Sequence, residues 1–253
     1  MRLFLVDGEN ALIRGESVRR FDDPAQHLAY DEALLRRCDD SVKNGEAQGF
    51  LRLWESDDLF VVLGVSGRIG DDVQVENCER DGVSIQRRGS GGGTVLQGPG
   101  CLNAAVVIPL PENSPLRDVH RSYEFFVNRL LEALGLDDGA RKGGSDLTWR
   151  GLKFGGSAQK RTARAILHHS SLLWNFDLAQ LPRYLKEPPK QPEYREERSH
   201  LDFVTNLPLE RDEIRERLTS YWNAQRLPQD WTPPELSKLL EEKFAKRSWV
   251  ERA

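Results

Sequence analysis

VSIQRRGSGGGTVLQGPGCLNAAVVIPL, residues 83–110, is the most informative run of the chain. Its first six residues, VSIQRR (83–88), have strand character, and its last ten, CLNAAVVIPL (101–110), read as a buried strand stopped by Pro109 and Pro111. Between them lie Gly91, Gly92 and Gly93, followed by Thr94, Val95 and Leu96. Three consecutive glycines leave the backbone free to take positive φ and to approach a ligand with no Cβ in the way. Successive backbone N–H groups in such a turn form an anion-binding nest, and Arg87 and Arg88 add fixed positive charge beside it, a combination suited to phosphate. A flexible hairpin loop is the alternative reading. Named phosphate loops do not fit. There is no Gly-Lys-Ser/Thr ending, and Thr94 stands where the dinucleotide fingerprint needs Gly or Ala.

Working outward, Pro24 to about Asn44 predicts a long helix: Asp23 caps it, Pro24 suits its first position, and Leu28, Ala29, Leu34 and Leu35 recur at helical spacing. LRLW (51–54) and LFVVLG (59–64) read as strands joined by a Ser56-Asp57-Asp58 turn, and a short helix through Val73, Val75 and Cys78 ends at Asp81-Gly82. Downstream, Leu116 to Leu136 carries a second long amphipathic helix, ended by Asp137-Asp138-Gly139. LTWRGLKFGGSAQ (147–159) reads as a hairpin turning at Arg150-Gly151, followed by a strand pair in ARAILHHSSLLWNFDL (163–178). KEPPKQPEYREERSH (186–200) reads as an extended surface connection, and helices at about 211–224 and 234–245 close the chain. Long helices separated by groups of short strands predict an α+β fold, a mixed β-sheet with flanking helices, rather than a doubly wound domain.

Lys153 is the second candidate functional residue. It sits in a strand-like segment just before Gly155-Gly156-Ser157, where its ammonium could meet a carboxylate or phosphate oxygen in a cleft; a solvent-facing strand lysine is the alternative. His168 and His169 are adjacent, so on a strand they face opposite sides and at most one points into any site, which argues against a metal centre.

With 36 Lys+Arg against 40 Asp+Glu, the net charge of −4 provides no global field to attract nucleic acid or an anionic membrane. Three cysteines, Cys38, Cys78 and Cys101, match no zinc or redox spacing and suit a reducing, cytoplasmic compartment. The opening MRLFLV meets Asp7 and Glu9 too early for a signal-peptide core.

Four blocks in order, DPAQHLAYDEALL (23–35), RRGSGGGTVLQGPGCLN (87–103), SDLTWRGLKFGGSAQKR with AILHHSSLL (145–173), and YREERSHLDFVTNL (194–207), resemble the lipoate–protein ligase A family. The resemblance implies a biotin/lipoate ligase-like catalytic fold related to class II aminoacyl-tRNA synthetases. It implies an ATP- and Mg2+-dependent activation of lipoate or octanoate as an acyl-adenylate. Transfer then goes to a lysine of a lipoyl domain of a 2-oxoacid dehydrogenase or of the glycine-cleavage H protein. It aligns Arg88 and the turn Gly91, Gly92, Gly93, Thr94, Val95 and Leu96 with the nucleotide-binding residues, and Lys153 with the lysine that touches acyl carboxylate and phosphate. An apolar tunnel for the acyl chain is expected near Val62, Leu63 and Val95. Two positions depart from the family: Gln97 replaces its usual histidine, and Ser170 stands where glycine is frequent.

Two other functions compete. An ATP-independent octanoyl or lipoyl transferase would need an activated cysteine, for which Cys101 is the one candidate near the motifs, although a cysteine entering an apolar strand reads first as core. A non-catalytic module would bind an acyl-adenylate without turnover. The resemblance runs to about residue 207, leaving ~45 residues, read as a helical packing segment over 208–253. The expectation is one catalytic domain over 1–253 without an accessory domain, and hence a separately encoded accessory partner.

Overall fold

The computed structural model describes residues 1–7, 11–13, 16–18, 21, 23–188, 191–228 and 231–252; Glu9, Pro189 and Lys190, which entered the sequence reading, lie outside the described residues. Thirteen strands are described: β1 (Arg2–Asp7), β2 (Ala11–Ile13), β3 (Glu16–Val18), β4 (Gln48–Trp54), β5 (Phe60–Leu63), β6 (Ser84–Arg87), β7 (Val95–Gln97), β8 (Cys101–Pro109), β9 (Gly139–Lys142), β10 (Asp146–Trp149), β11 (Leu152–Arg161), β12 (Ala165–Leu173) and β13 (Gln225–Arg226). The main sheet runs β13-β1-β4-β8-β12-β11-β10-β9, a second sheet runs β6-β5-β7, and β2 pairs with β3. In the main sheet β13, β1 and β4 are parallel and the remaining pairs antiparallel, so the sheet is mixed, as expected.

Both faces of β4, β8 and β12 are covered, which explains why CLNAAVVIP is almost uniformly apolar. On one face α1 (Pro24–Lys43) packs Leu28, Ala29 and Ala33 against Phe50, Trp54, Ala105, Val107 and Leu167. Asp23 accepts the Ala25 N–H at 2.8 Å and caps this helix as its sequence predicts. Two four- and seven-residue helices, α2 (Ile69–Asp72) and α3 (Val75–Asp81), link the second sheet, and Gly82 ends α3 at φ +70°. On the opposite face α4 (Val119–Leu134) packs Phe126, Val127 and Leu130 against Leu51, Leu53, Ala104 and Val106. Further helices follow: α5 (Gln180–Tyr184), α6 (His200–Phe203), α7 (Arg211–Trp222), α8 (Leu236–Leu239) and α9 (Arg247–Val250).

Several expectations change. Helix α4 ends at Gly135, at φ +59°, before the Asp137-Asp138-Gly139 stop, because Gly135 is the first residue able to take the left-handed cap and return its N–H to Leu131 and Glu132. Strands β4 and β5, read as neighbours, belong to different sheets. Residues 163–178 supply one strand, β12, whose partners are β8 and β11. RLFLVD (Arg2–Asp7) forms β1 in the main sheet. The 186–200 connection is not merely a surface one, since it buries Arg195 and His200. The second closing helix shortens to α8 and continues as a π-helical turn, Leu240–Phe244, while β13 and α9 were not anticipated. Among the described residues no helix is long and apolar enough to cross a membrane.

Gly100 joins the two sheets at φ +84°; its carbonyl accepts the Trp174 N–H at 2.9 Å, and a Cβ there would lie 2.2 Å from the Asn175 carbonyl oxygen. Backbone on both sides leaves that methyl no exit. Gly100→Ala is expected to lower unfolding stability by at least about 2 kcal/mol, read as a shift in the urea midpoint at unchanged slope.

Candidate active site

Register across the main sheet assembles the floor of a cleft. Trp54, Asn103, Ser171, Gly156 and Asp146 face one another in a row through β4, β8, β12, β11 and β10. Two residues along, a parallel row contains Arg52, Ala105, His169 and Ala158. Period-two alternation puts both rows on the face that α1 covers. A bulge between β10 and β11 then changes the alternation: Gly155 opposes Leu147, but Lys153 opposes Thr148, leaving Phe154 as the extra residue. Phe154 consequently joins Leu147 and Phe126 in the core of the opposite face, and Lys153 points into the cleft. Strict alternation from Gly156 would have exchanged the two.

The cleft has two lobes that meet at Lys153. The smaller, about 130 Å3, is lined by Leu28, Trp54, Val95, Gln97, Asn103 and His169 among others. The larger, about 380 Å3, has apolar walls from Leu96, Leu173, Leu181, Leu185 and Phe203, with Asp72, Arg195 and His200 among them. Gly93, Thr94, Val95, Asp146 and Lys153 border both. Lys153 Nζ pairs with Asp146 Oδ1 at 2.8 Å, and the other carboxylate oxygen accepts the Tyr194 hydroxyl at 2.7 Å.

The glycine-rich turn closes one side. Gly92 takes φ +87°, the left-handed region expected of the triple-glycine run. The turn leans on β5: Val65 N–H donates to the Ser90 carbonyl at 2.8 Å, and a Cβ at Gly64 would sit 2.1 Å from the Gly92 oxygen. Arg88 is buried inside the turn. Its Nη2 donates to the carbonyls of Gly91 at 2.6 Å and Gly93 at 2.8 Å, its Nε to Ser90 Oγ at 3.0 Å, and its Nη1 to the Val62 carbonyl at 3.3 Å. Burial pulls this guanidinium down to about 10, still charged at neutral pH. Arg87, expected to add charge beside the nest, instead points away and gives its donors to backbone carbonyls, among them Gly64 and Gly67. Thr94 Oγ1 donates to Asp72 Oδ2 at 2.6 Å.

Of the residues singled out from sequence, Arg88, Gly92, Gly93, Thr94, Val95 and Lys153 line the smaller lobe and Leu96 the larger, whereas Gly91 only lends its carbonyl to Arg88. Val62 and Leu63 are not tunnel walls; both lie in hydrophobic cores. His169 faces the cleft and His168 the opposite core, stacked on Phe126 at 4.6 Å, where burial pushes its pKa well below the usual value. Gln97 Nε2 donates to Asn103 Oδ1 at 2.8 Å and Ser171 Oγ at 2.9 Å, while its Oε1 has no partner among the described residues. Cys101 is fully buried outside the lining, its thiol pushed up by burial to about 12. Among the described residues no group of three or more His, Cys, Asp or Glu side chains could hold a metal ion.

A buried polar chain behind the turn was missed. Arg52 pairs with Asp31 at 2.7 Å, the second Asp31 oxygen lies 3.4 Å from His169 Nδ1, and His169 Nε2 lies 2.6 Å from Ser90 Oγ. Arg88 can only donate and an ionised Asp31 can only accept, so Arg88 Nε–H donates to Ser90 Oγ and His169 Nδ1–H to Asp31, with the Ser90–His169 contact joining the two ends. An i, i+4 pattern gives no sign of this, because Asp31 on α1 and Arg52 on β4 meet only across the helix–sheet interface.

This two-lobed cleft lies within the region that a family model recognises. The model for the lipoyl protein ligase A/B catalytic domain matches residues 23–222. The chain belongs to that family. A protein of Aeropyrum pernix designated a lipoate-protein ligase A is 30% identical over 204 residues, 81% of this chain and 72% of its own length. Two solved structures share the fold. A bi-partite lipoate protein ligase from Thermoplasma acidophilum, described with its E2 lipoyl domain, superposes with TM-score 0.74 at 23% identity, covering 99% of this chain and 95% of its own. A lipoate-protein ligase A bound with ATP gives TM-score 0.72 at 23% identity, with 99% and 98% coverage. The α+β architecture with its large mixed sheet is therefore that of the lipoate ligases.

Burial alone would raise the Asp31 carboxyl, but Arg52 and His169 outweigh it and hold its pKa below the ordinary range. A depressed native pKa contributes stability that is fully present above the unfolded value of ~3.9 and disappears as pH falls through the native value. Asp31→Ala, which strands a buried guanidinium, is expected to cost about 3–5 kcal/mol at pH 7. In denaturant titrations repeated toward acid, the gap from wild type should narrow below about pH 4; a gap constant with pH would contradict the ion pair.

Proposed function

We propose that the protein is an ATP-dependent lipoate–protein ligase whose active site is this cleft, within a single catalytic domain over 1–253. The observation that carries the reading is the position of Lys153, at the junction of the two lobes and bordered by Gly93 and Thr94 of the glycine-rich turn. An acid in the smaller lobe and a nucleotide in the larger one would bring a carboxylate and an α-phosphate together beside one ammonium. Catalysis of this kind depends on positioning and on neutralising charge as it builds.

In the first step a carboxylate oxygen of lipoate or octanoate bonds to the α-phosphorus, the bond to the bridging oxygen toward the β-phosphorus breaks, and pyrophosphate leaves. Lys153 holds the incoming carboxylate and the phosphate oxygen. Backbone N–H groups of the turn would add donors to the same charge, and Arg88 holds the carbonyls of Gly91 and Gly93. In the second step the neutral amine of an acceptor lysine attacks the acyl carbon, AMP departs with the bonding electrons, and the amine proton goes to solvent. Acceptors on this reading are lipoyl domains of 2-oxoacid dehydrogenases or the glycine-cleavage H protein. The bi-partite Thermoplasma ligase supports a separately encoded accessory partner.

Mg2+ fits the site in the way it fits other nucleotide sites, through one or two carboxylates plus substrate phosphates rather than a protein cage. Asp72 and Asp146 border the larger lobe and would hold it there. When bound, the ion supplies charge neutralisation on the phosphates. Transfer through a Cys101 thioester is disfavoured because that thiol is buried and pushed up to about 12, far from the thiolate such chemistry requires.

Exchange of labelled pyrophosphate into ATP, dependent on lipoate or octanoate, tests the first step. Wild type should exchange, and Lys153→Ala should lose about 10²–10³-fold, the scale of one oxyanion-stabilising donor. No exchange by wild type, together with a mass gain on Cys101 from an octanoyl-loaded carrier, would replace the ligase with the transferase.

A further inference from the structure

The segment after residue 240 has no part in the cleft, yet it is bound to the backbone that enters the glycine-rich turn. We propose that residues 243–252 position that turn: Lys243, Trp249 and the carbonyls of Val250 and Arg252 grip the end of β6 and Gly89 from behind, so that Arg88 presents the turn to the cleft in one geometry.

Arg87 ends β6 and Arg88 follows it, and their hydrogen-bond partners place the two side chains on opposite sides. Arg88 faces inward and holds Gly91 and Gly93. Arg87 faces away from the cleft and is buried, and there its Nε donates to the Val250 carbonyl and Nη2 to the Arg252 carbonyl, each at 2.9 Å, while Nη1 reaches the Gly67 carbonyl at 2.7 Å. Trp249 Nε1 returns a bond to the Arg87 carbonyl at 2.8 Å. The main chain of Arg87 and its guanidinium are therefore both tied to the same short helix, α9. One residue past Arg88, Gly89 meets the second half of the grip. Glu32 Oε2 lies 2.5 Å from both Lys160 Nζ and Lys243 Nζ, and a Cβ on Gly89 would be only 2.2 Å from that oxygen and 3.1 Å from Lys243 Nζ. Lys243 also stands 4.1 Å from the centre of the Trp249 ring, joining the two anchor points. None of these residues lines either lobe, so any effect on ligand is exerted through the turn.

The activity arm of this inference rests on the ligase reading above; the structural arm does not. Hydrogen exchange is to be followed in the full chain on peptides covering 84–97 and 119–134. Trp249→Phe removes one N–H and keeps the ring; Arg87→Lys keeps the charge and loses the fork. Trp249→Phe should speed exchange in 84–97 about fivefold, the effect of one hydrogen bond, and Arg87→Lys, which loses several, by more, with 119–134 unchanged in both. Trp222→Phe is the control, since Trp222 Nε1 is buried with no partner among the described residues and its ring packs against the other core, and it should leave 84–97 unchanged. In pyrophosphate exchange, Trp249→Phe should raise the KM for ATP severalfold more than it lowers kcat. Unchanged exchange in 84–97 for both variants, or equal acceleration of 84–97 and 119–134, would overturn the positioning role. Absence of pyrophosphate exchange in wild type, together with a mass gain on Cys101, would count against the ligase reading alone, leaving the hydrogen-exchange result to decide this one.

Discussion

The need to cover both faces of β4, β8 and β12 governs the rest of the molecule. Apolar side chains alternate to both sides of these strands, and each side requires a helix: α1 with Leu28, Ala29 and Ala33 on one, α4 with Phe126, Val127 and Leu130 on the other. Helix α1 covers the Phe50–Val107–Leu167 row fully, and the cover thins toward the row containing Asn103, Ser171 and Gly156. The cleft opens there, beyond the buried Arg52–Asp31–His169 chain.

Charge inside this framework is handled by pairing. Arg52 is wholly buried, and it is tolerated because Asp31 neutralises it and because its guanidinium lies 4.4 Å from the Tyr30 ring centre and 5.1 Å from that of Trp54. The same carboxylate orients His169, which reaches Ser90 and through it Arg88. The glycine-rich turn is thus fixed from two directions, by this buried chain on the α1 side and by Arg87 with Trp249 on the other. A loop with three glycines would otherwise be among the least ordered parts of a fold, and a charge-binding nest is useful only when its donors are already aimed.

Lys153 illustrates how a single irregularity decides which side chain enters the cleft. Its ammonium lies in the cleft because Phe154 is accommodated as a bulge opposite β10, with Phe154 gaining a place in the α4 core. The bulge is stabilised by apolar burial on one face and rewarded by Lys153–Asp146 pairing on the other.

The sequence alone determined the α+β class, the caps at Asp23 and Gly82, the Arg150-Gly151 turn, and the candidates Arg88, Gly91 to Leu96 and Lys153, because these depend on local backbone preference or on short contiguous motifs. It also limited the histidines to one per side, which His169 and His168 obey. Tertiary structure alone decided that Val62 and Leu63 are core, that Arg87 binds a distant segment while Arg88 braces the turn, and that Asp31, Asp146 and Tyr194 stand behind the candidate side chains of the cleft. The physical reason is separation along the chain. Asp31 and His169 are 138 residues apart and Arg87 and Val250 163 apart, and no local propensity encodes which of many polar groups will meet once the sheet is covered.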